Sequence, residues 1–248
     1  FAYAEAFNKG YMPETALFDL PTEFSTLCDP QGNPIDSFQK KEDVCYSPVN
    51  YDEKFRGPIT MREALAQSIN IPAVKTLYLA GMDNTLKLAQ SMGITSLSVI
   101  GRYGLTLVLG GGEVSLLEMT NTYGVFANDG VKNTYQSIIE IKDKAQNILE
   151  TKQKKSERVL PEETARKISN ILSDNKARAP AFGETSYLYF PNKEVAVKTG
   201  TTNDYRDAWI IGYTPSITVG AWAGNNDNSP MEKKVAGFII APLWNAFM

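Results

Sequence analysis

The stretch Glu194-Val-Ala-Val-Lys198-Thr199-Gly200-Thr201-Thr202-Asn-Asp-Tyr-Arg-Asp-Ala-Trp209 decides how this chain is read. Glu194 to Val197 predicts a strand, because β-branched residues precede an abrupt polar switch. Lys198, Thr199 and Gly200 then form a Lys-Thr-Gly triplet, expected at the strand's end. Strict alternation puts Lys198 and Gly200 on one face and turns Thr199 to the other. A glycine weakens a strand unless something must approach the backbone closely. A cation beside a bare backbone edge suits an extended peptide that carries a carboxylate. The peptide adds as a strand and the charge meets its terminus. Taken alone, the triplet reads first as a strand running into a polar loop.

Composition narrows the chemistry. The 248 residues suffice for a full core. A net charge of −3 gives no basic surface for nucleic acid. No apolar run approaches the roughly 20 residues that a membrane helix needs, so no membrane contact is expected from this segment. There is no histidine. That excludes Ser-His-Asp and Cys-His catalysis and imidazole-dependent zinc sites. Acid–base chemistry near neutral pH falls to Lys, carboxylates or Tyr.

Around the key stretch, the chain alternates helices and strands. Phe1 to about Asn8 is helical in pattern, with a stop at Lys9-Gly10. Pro21 to Pro48 reads as a loop containing both cysteines, Cys28 and Cys45, as a bridge or as two thiols. A Ser-x-x-Lys occurs at Ser37-Phe38-Gln39-Lys40. Its flanks read as exposed loop, whereas a lysine-activated nucleophile needs a rigid, partly desolvated setting. About one such match is expected by chance, so Ser37 is set aside. Tyr46 to Ile59 reads as irregular. Thr60 and Glu63 form a capping box before a short helix that stops at Ser68-Ile69-Asn70. The next helix has Pro72 in its first turn and Val74, Leu77, Tyr78 and Ala80 as its apolar face. Thr85 to Met92 is a further amphipathic run. Ser68 and Asn70 therefore stand at a junction between helices, where such residues commonly cap.

Gly110-Gly111-Gly112 lacks the spacing of a phosphate-binding loop and reads as a tight turn before a core helix ending near Asn128-Asp129-Gly130. Ile138–Ile141 and Asn147–Leu149 predict a hairpin. Lys152 to Arg158 reads as a solvated charged loop. Pro161-Glu162-Glu163 opens a helix running to about Leu172, and Ser173 to Pro191 reads as loop. Ala208–Tyr213 and Ser216–Ala223 form a hairpin through Thr214-Pro215. Pro242 to Met248 reads as helix. The class is α+β.

Three strings carry a resemblance: KTGTTNDYRDAWIIGYTP from Lys198, GPITMREALAQSINIPAVK from Gly57, and GLTLVLGGGEVSLLEMTNTYGVFANDG from Gly104. They resemble the penicillin-binding transpeptidases, particularly the bifunctional class A type, and more distantly the serine β-lactamases. Nearly the whole chain is covered. The resemblance implies an antiparallel sheet flanked by helices, a helical subdomain beside it, and an active site between them. It reads residues 1–248 as the C-terminal portion of one transpeptidase domain. The family's Ser-x-x-Lys would then lie just ahead of Phe1, together with the first strands.

The resemblance also implies roles. Ser68 would pass protons between nucleophile, lysine and leaving group. Asn70 would bind the substrate backbone, and Lys198 would set the electrostatics and polarise Ser68. Thr199 and Thr201, around Gly200, would hold the donor carboxylate, and the Thr201 N–H would form half of an oxyanion hole. The implied reaction is D,D-transpeptidation through a serine ester, inhibited by β-lactams, with peptidoglycan stem peptides as substrates. No metal or cofactor is implied. An upstream glycosyltransferase domain and an extracytoplasmic home, anchored in the bacterial cytoplasmic membrane, belong to the same picture. Two readings stay open beside it. One is a carboxypeptidase or β-lactamase using water as acceptor; the other is a non-catalytic binding fragment. The 248-residue chain alone is expected to form no penicillin adduct by intact mass; an adduct mapping to Ser37 or Ser68 would reassign the nucleophile.

Overall fold

The Lys-Thr-Gly triplet lies within a strand and not at its end. In the computed structural model, which describes residues 1–99, 101–153, 155–202, 205–231 and 235–248, the strand runs Ala196–Thr201. Thr199 and Thr201 are β-branched, and their neighbours keep pairing, so the ladder continues past the polar switch. Asn203 and Asp204 of the motif string lie outside the described residues, as does Lys154.

In chain order the helices are α1 Ala2–Asn8, α2 Lys41–Val44, α3 Met61–Gln67, α4 Asn70–Ala80, α5 Met82–Met92, α6 Leu116–Ala127, α7 Glu162–Ser173, α8 Asn175–Phe182, α9 Ala236–Ile239 and α10 Ala241–Phe247. The strands are β1 Ala16–Asp19, β2 Gly57–Thr60, β3 Val131–Asn133, β4 Glu140–Lys142, β5 Ile148–Thr151, β6 Ser156–Arg158, β7 Ala196–Thr201, β8 Asp207–Tyr213 and β9 Thr218–Gly224. The central sheet has the order β7-β8-β9 and is antiparallel throughout. The hairpin at Thr214-Pro215 is as read from the turn chemistry, with Thr214 N–H bonded to Ile217 O.

Alternation sorts the sheet's side chains into two cores. Ala196 and Tyr213 face a cluster with Tyr3 and Phe7 of α1, Met61 and Ala64 of α3, Val125 and Phe126 of α6, and Ile168 and Ile171 of α7. Val197, Ala208 and Ile210 face Ala236, Ile240, Ala241 and Trp244. Two glycines make these approaches possible. A Cβ on Gly212 would meet the Trp244 ring at 2.5 Å, and one on Gly220 would meet Thr120 Oγ1 at 2.0 Å. Helices therefore cover both faces, as the α+β reading expects. A smaller cluster of Leu86, Ala89, Ile94 and Leu97 builds the helical part. α1 runs through the middle, with Ala2, Tyr3, Ala4, Ala6 and Phe7 all buried.

Several expectations need correction. The irregular stretch before Ile59 holds β2, whose partner β1 stands far upstream, with Leu17 opposite Ile59. The charged stretch at 152–158 contains β6, paired with β3. Charge concealed this edge strand, whose side chains are exposed. The predicted loop at 173–191 contains α8. Its polar composition and internal Pro180 hide it, but Asp174 caps it by accepting from Ala177 N–H at 2.9 Å. Arg178 on this helix is buried and donates to Leu172 O and Leu188 O, tying α7 to the segment that leads into β7. Tyr78 is not on the buried face of α4; it is 72% exposed, while Val74, Leu77 and Ala80 are buried.

The question left open at the cysteines is settled: Cys28 and Cys45 form a disulfide across 17 positions. It staples the long excursion between β1 and β2, where Glu23 accepts hydrogen bonds from Ser25, Tyr46 and Ser47. Few side chains there are buried, so covalent closure stands in for a core. Replacing both cysteines by serine is expected to cost about 3 kcal/mol in the chain-entropy model. Urea unfolding of the two forms measures it, and an unchanged midpoint would contradict it.

Candidate active site

The α3–α4 junction is built for a tight change of direction. The capping box forms as expected: Thr60 Oγ1 accepts from Glu63 N–H, and Glu63 returns a bond to Thr60 N–H at 2.9 Å. The seven-residue helix then closes on Ser68, which sits in the left-handed region at φ 61°, ψ 43°. A side chain there costs about 1 kcal/mol relative to ordinary backbone. In return α4 starts at once, and Ser68 Oγ points across to the sheet.

Lys198 comes from the other side. β7 places it on the same face as Ala196, toward the helices, as strict alternation requires. Its Nζ donates to Ser68 Oγ at 2.6 Å and to Thr199 O at 2.8 Å. No carboxylate pairs with it among the described residues. Burial strips water from the ammonium and pushes its pKa down to about 8.

β7 is an edge of its sheet among the described residues. Beyond its end, Thr202 N–H donates to Asp207 O across the ladder. The alternation of an antiparallel pair then turns the Thr201 N–H toward the open edge. Gly200 leaves that edge without a side chain. Thr199 lies opposite Ile210, on the α9 face. Thr201 shares that face, and its Oγ1 accepts from Ala236 N–H at 3.0 Å. A hydroxyl that accepts one bond retains its own proton to donate.

Asn70 stands at the first turn of α4, and its Nδ2 donates to Val49 O at 2.8 Å. Neither Ser68 nor Asn70 caps α4; the residue in the cap position is Ile69, which has no capping side chain. The cap comes from Asn50, whose Oδ1 accepts from Asn70 N–H at 3.1 Å and Ile71 N–H at 3.2 Å. Sequence reading missed Asn50 because nothing local links it to a helix 20 positions on. It also missed Thr202, whose hydroxyl bonds Asp207 at 2.8 Å, and Trp222, whose indole N–H donates to Asp207 at 2.9 Å. Tyr205, at φ 57°, meets Tyr51 edge-on and donates to its hydroxyl at 3.5 Å, linking the sheet to the helical side.

The structure thus brings Ser68 to Lys198 directly, and sets Thr199, Gly200 and Thr201 along the adjoining edge. Ser37 is in an exposed loop beside Phe38, which is 94% exposed. A second Ser-x-x-Lys, Ser173-Asp-Asn-Lys176, passed unremarked in the sequence reading; Ser173 Oγ donates to Glu194 at 2.7 Å, ahead of β7. A concavity of about 520 Å³ beside Arg62 and Arg166 includes none of the six candidate residues. Glu23 clusters with Cys28 and Cys45, but disulfide sulfurs are not the thiolates a metal takes.

Known proteins resemble this chain in sequence and in fold. The chain is 35% identical over 236 residues to penicillin-binding protein 1A of Aquifex aeolicus, covering 94% of the chain and 31% of that protein. The chain thus spans about a third of that relative's length. Among solved structures, penicillin-binding protein 1A from Haemophilus influenzae superposes with a TM-score of 0.79 at 21% identity, over 99% of this chain and 40% of that one. PonA1 from Mycobacterium tuberculosis, solved in complex with penicillin V, gives 0.77 at 18% identity, over 99% and 65%. Residues 31–245 match the family model of the penicillin binding protein transpeptidase domain, and with that match over most of its length the chain belongs to this family.

Proposed function

We propose that this chain carries the acyl-transfer site of a serine D,D-transpeptidase that cross-links peptidoglycan and is acylated by β-lactams. The observation that carries the reading is the 2.6 Å contact of Lys198 Nζ with Ser68 Oγ beside an open strand edge. A hydroxyl held by a lysine is a proton relay, and an edge with an N–H facing outward is a docking strip for an extended peptide.

The nucleophile in this reading is the serine of the family's Ser-x-x-Lys segment, which precedes a helix like α1. Its Oγ attacks the carbonyl carbon of the penultimate D-alanine. The Thr201 N–H donates to the oxygen as negative charge develops. The C–N bond breaks, and the terminal D-alanine leaves with a proton relayed through Ser68. An amine of a second stem peptide then attacks the ester. The serine oxygen departs, recovers its proton by the same relay, and leaves a new amide. Thr199 and Thr201 hydroxyls donate to the substrate carboxylate, and Lys198 supplies the field that favours it. Asn70 steadies the substrate backbone. A glycosyltransferase domain elsewhere in the parent protein and an extracytoplasmic location fit this reading. The disulfide agrees with an oxidising compartment, and no helix of the described residues is long and apolar enough to cross a membrane.

The test is the product formed by the full-length protein from a donor pentapeptide and an acceptor stem. A cross-linked peptide by mass spectrometry is expected; free tetrapeptide alone would indicate a carboxypeptidase. Lys198 also fixes a pH dependence. Its ammonium donates to Ser68, so acylation by a fluorescent penicillin should fall as pH rises through about 8. Lys198→Arg should lower the rate and flatten that limb, since a guanidinium does not titrate there. A wild-type rate still rising well above pH 8 would remove Lys198 from this role.

The same shift bears on stability. Between pH 8 and 10.5 the unfolded chain binds more protons than the folded one, so this group's contribution rises with pH across that window. Near pH 7 the buried charge is a cost, at most about 3 kcal/mol and about 1 kcal/mol once the open side of the cleft is allowed for. Lys198→Met should therefore raise Tm at pH 7 while abolishing acylation. A lower Tm would mean that the ammonium stabilises the fold.

A further inference from the structure

We infer that Asp19 and Asn50 are positioning residues for the active site: a buried acid–amide pair that holds the Ser68-Ile69-Asn70 turn in register with Lys198. The inference rests on the functional reading above. The first N–H groups of a helix have no partner within it. α4 has Ile69 where a capping side chain belongs, and Ile69 is core, 4% exposed. Asn50, 2% exposed, fills the gap by accepting from Asn70 N–H and Ile71 N–H with one oxygen.

An amide can cap only if its oxygen faces the helix, and something must decide which way round it sits. Its Nδ2 donates to Asp19 Oδ1 at 2.8 Å and to Lys54 O at 2.7 Å. Both partners only accept, so the opposite orientation would set oxygen against oxygen. Asp19 is fully buried on β1. Its second oxygen accepts from Arg56 N–H at 3.0 Å and lies 3.6 Å from the Arg56 guanidinium. Arg56 is in turn held by Asp52. The chain of contacts therefore runs Asp52, Arg56, Asp19, Asn50, then the start of α4. The neighbouring Val49 carbonyl takes the Asn70 side chain, so residues 49 and 50 grip Asn70 by backbone and side chain together. Lys75, one turn further along α4, donates to Phe18 O on β1 and braces the same joint.

The grip adds the α4 side to a turn that α3 already closes from the other, where Ser68 N–H bonds Leu65 O at 3.2 Å and Ile69 N–H bonds Ala64 O at 3.0 Å. Ser68 is exposed, it is left-handed without being glycine, and it follows the last turn of a short helix. A slack start to α4 would let the turn relax toward ordinary backbone and carry Oγ away from Lys198. Small displacements of this kind are costly to a reaction that depends on alignment. Asp19 touches none of the cleft groups that would meet substrate, and Asn50 touches Asn70 only through its backbone N–H; both act through the turn.

The experiment measures the rate of acylation by a fluorescent penicillin in the full-length protein, with Tm recorded for each variant and rates taken well below it. Asn50→Ala is expected to slow acylation roughly tenfold or more. Asp19→Asn, which removes one of the two acceptors that orient the Asn50 amide, should slow it by a smaller factor. The exchange Asp19→Asn with Asn50→Asp restores an amide facing an acid and an oxygen facing α4, with the carboxyl at position 50 protonated to keep its bond to Lys54 O. It should recover part of the rate lost in Asp19→Asn. That rescue is the readout a merely structural role would not give. Should Asn50→Ala fail to fold, Asp19→Asn and the exchange decide the matter. Wild-type rates in the folded single variants, or no recovery in the exchange, would overturn the proposal. A wild-type protein that takes no label would instead overturn the transpeptidase reading, and this proposal with it.

Discussion

One contact ties the two halves of this molecule together at the point where chemistry would occur. Lys198 Nζ reaches from the sheet's edge to Ser68 Oγ at the α3–α4 turn. Everything around it serves to make that distance short. β8 and β9 fix the height of β7, while α9 and α10 cover the sheet's far side through Trp244. On the near side, α1 fills the space beneath the junction with side chains that are buried almost all round. Among the described residues the β7 edge stays unpaired, and an edge proposed to take a peptide cannot be paired or capped by its own fold.

How much of this could be read from sequence follows from how local each signal is. The capping box of Thr60 and Glu63 is four residues long, and it appears as read. So do the hairpin at Thr214-Pro215 and the helix opening at Glu162. Lys198 and Ser68 are 130 positions apart, and no pattern of spacing joins them. Their pairing was expected through resemblance to known motifs. Where neither locality nor resemblance helped, the reading failed. β1 and β2 pair across the disulfide loop, β3 and β6 pair across a hairpin, and Asn50 caps a helix 20 positions away. Each depends on a partner brought by tertiary folding. The helix α8 is hidden for a different reason: its composition is polar and it contains Pro180, while the Asp174 cap and the bonds from Arg178 to neighbouring carbonyls hold it in place.

The displaced strand boundary has a physical lesson of its own. Polarity predicts a strand end at Lys198, but a ladder is held by backbone bonds and by the shape of its side chains. Thr199 and Thr201 have the β-branched shape, and each has a partner in β8. Polar residues can therefore occupy an edge strand when one face meets a cleft. The position that polarity marks is then an edge that faces Ser68, inside the strand Ala196–Thr201.

Strain and charge are concentrated here for a reason that also explains the bracing. Ser68 holds a left-handed backbone, Lys198 holds an ammonium with little water, and β7 holds an unpaired edge. Each of these costs free energy, and none helps the fold. They persist only because neighbouring structure allows no cheaper arrangement. Asn50 and Asp19 remove the freedom of the turn, and the β8 ladder removes the freedom of the strand. A core that relaxed either one would be more stable and would separate Lys198 from Ser68. The rigidity of the surroundings is thus what keeps an unfavourable geometry in place, and that geometry is what the proposed proton relay requires.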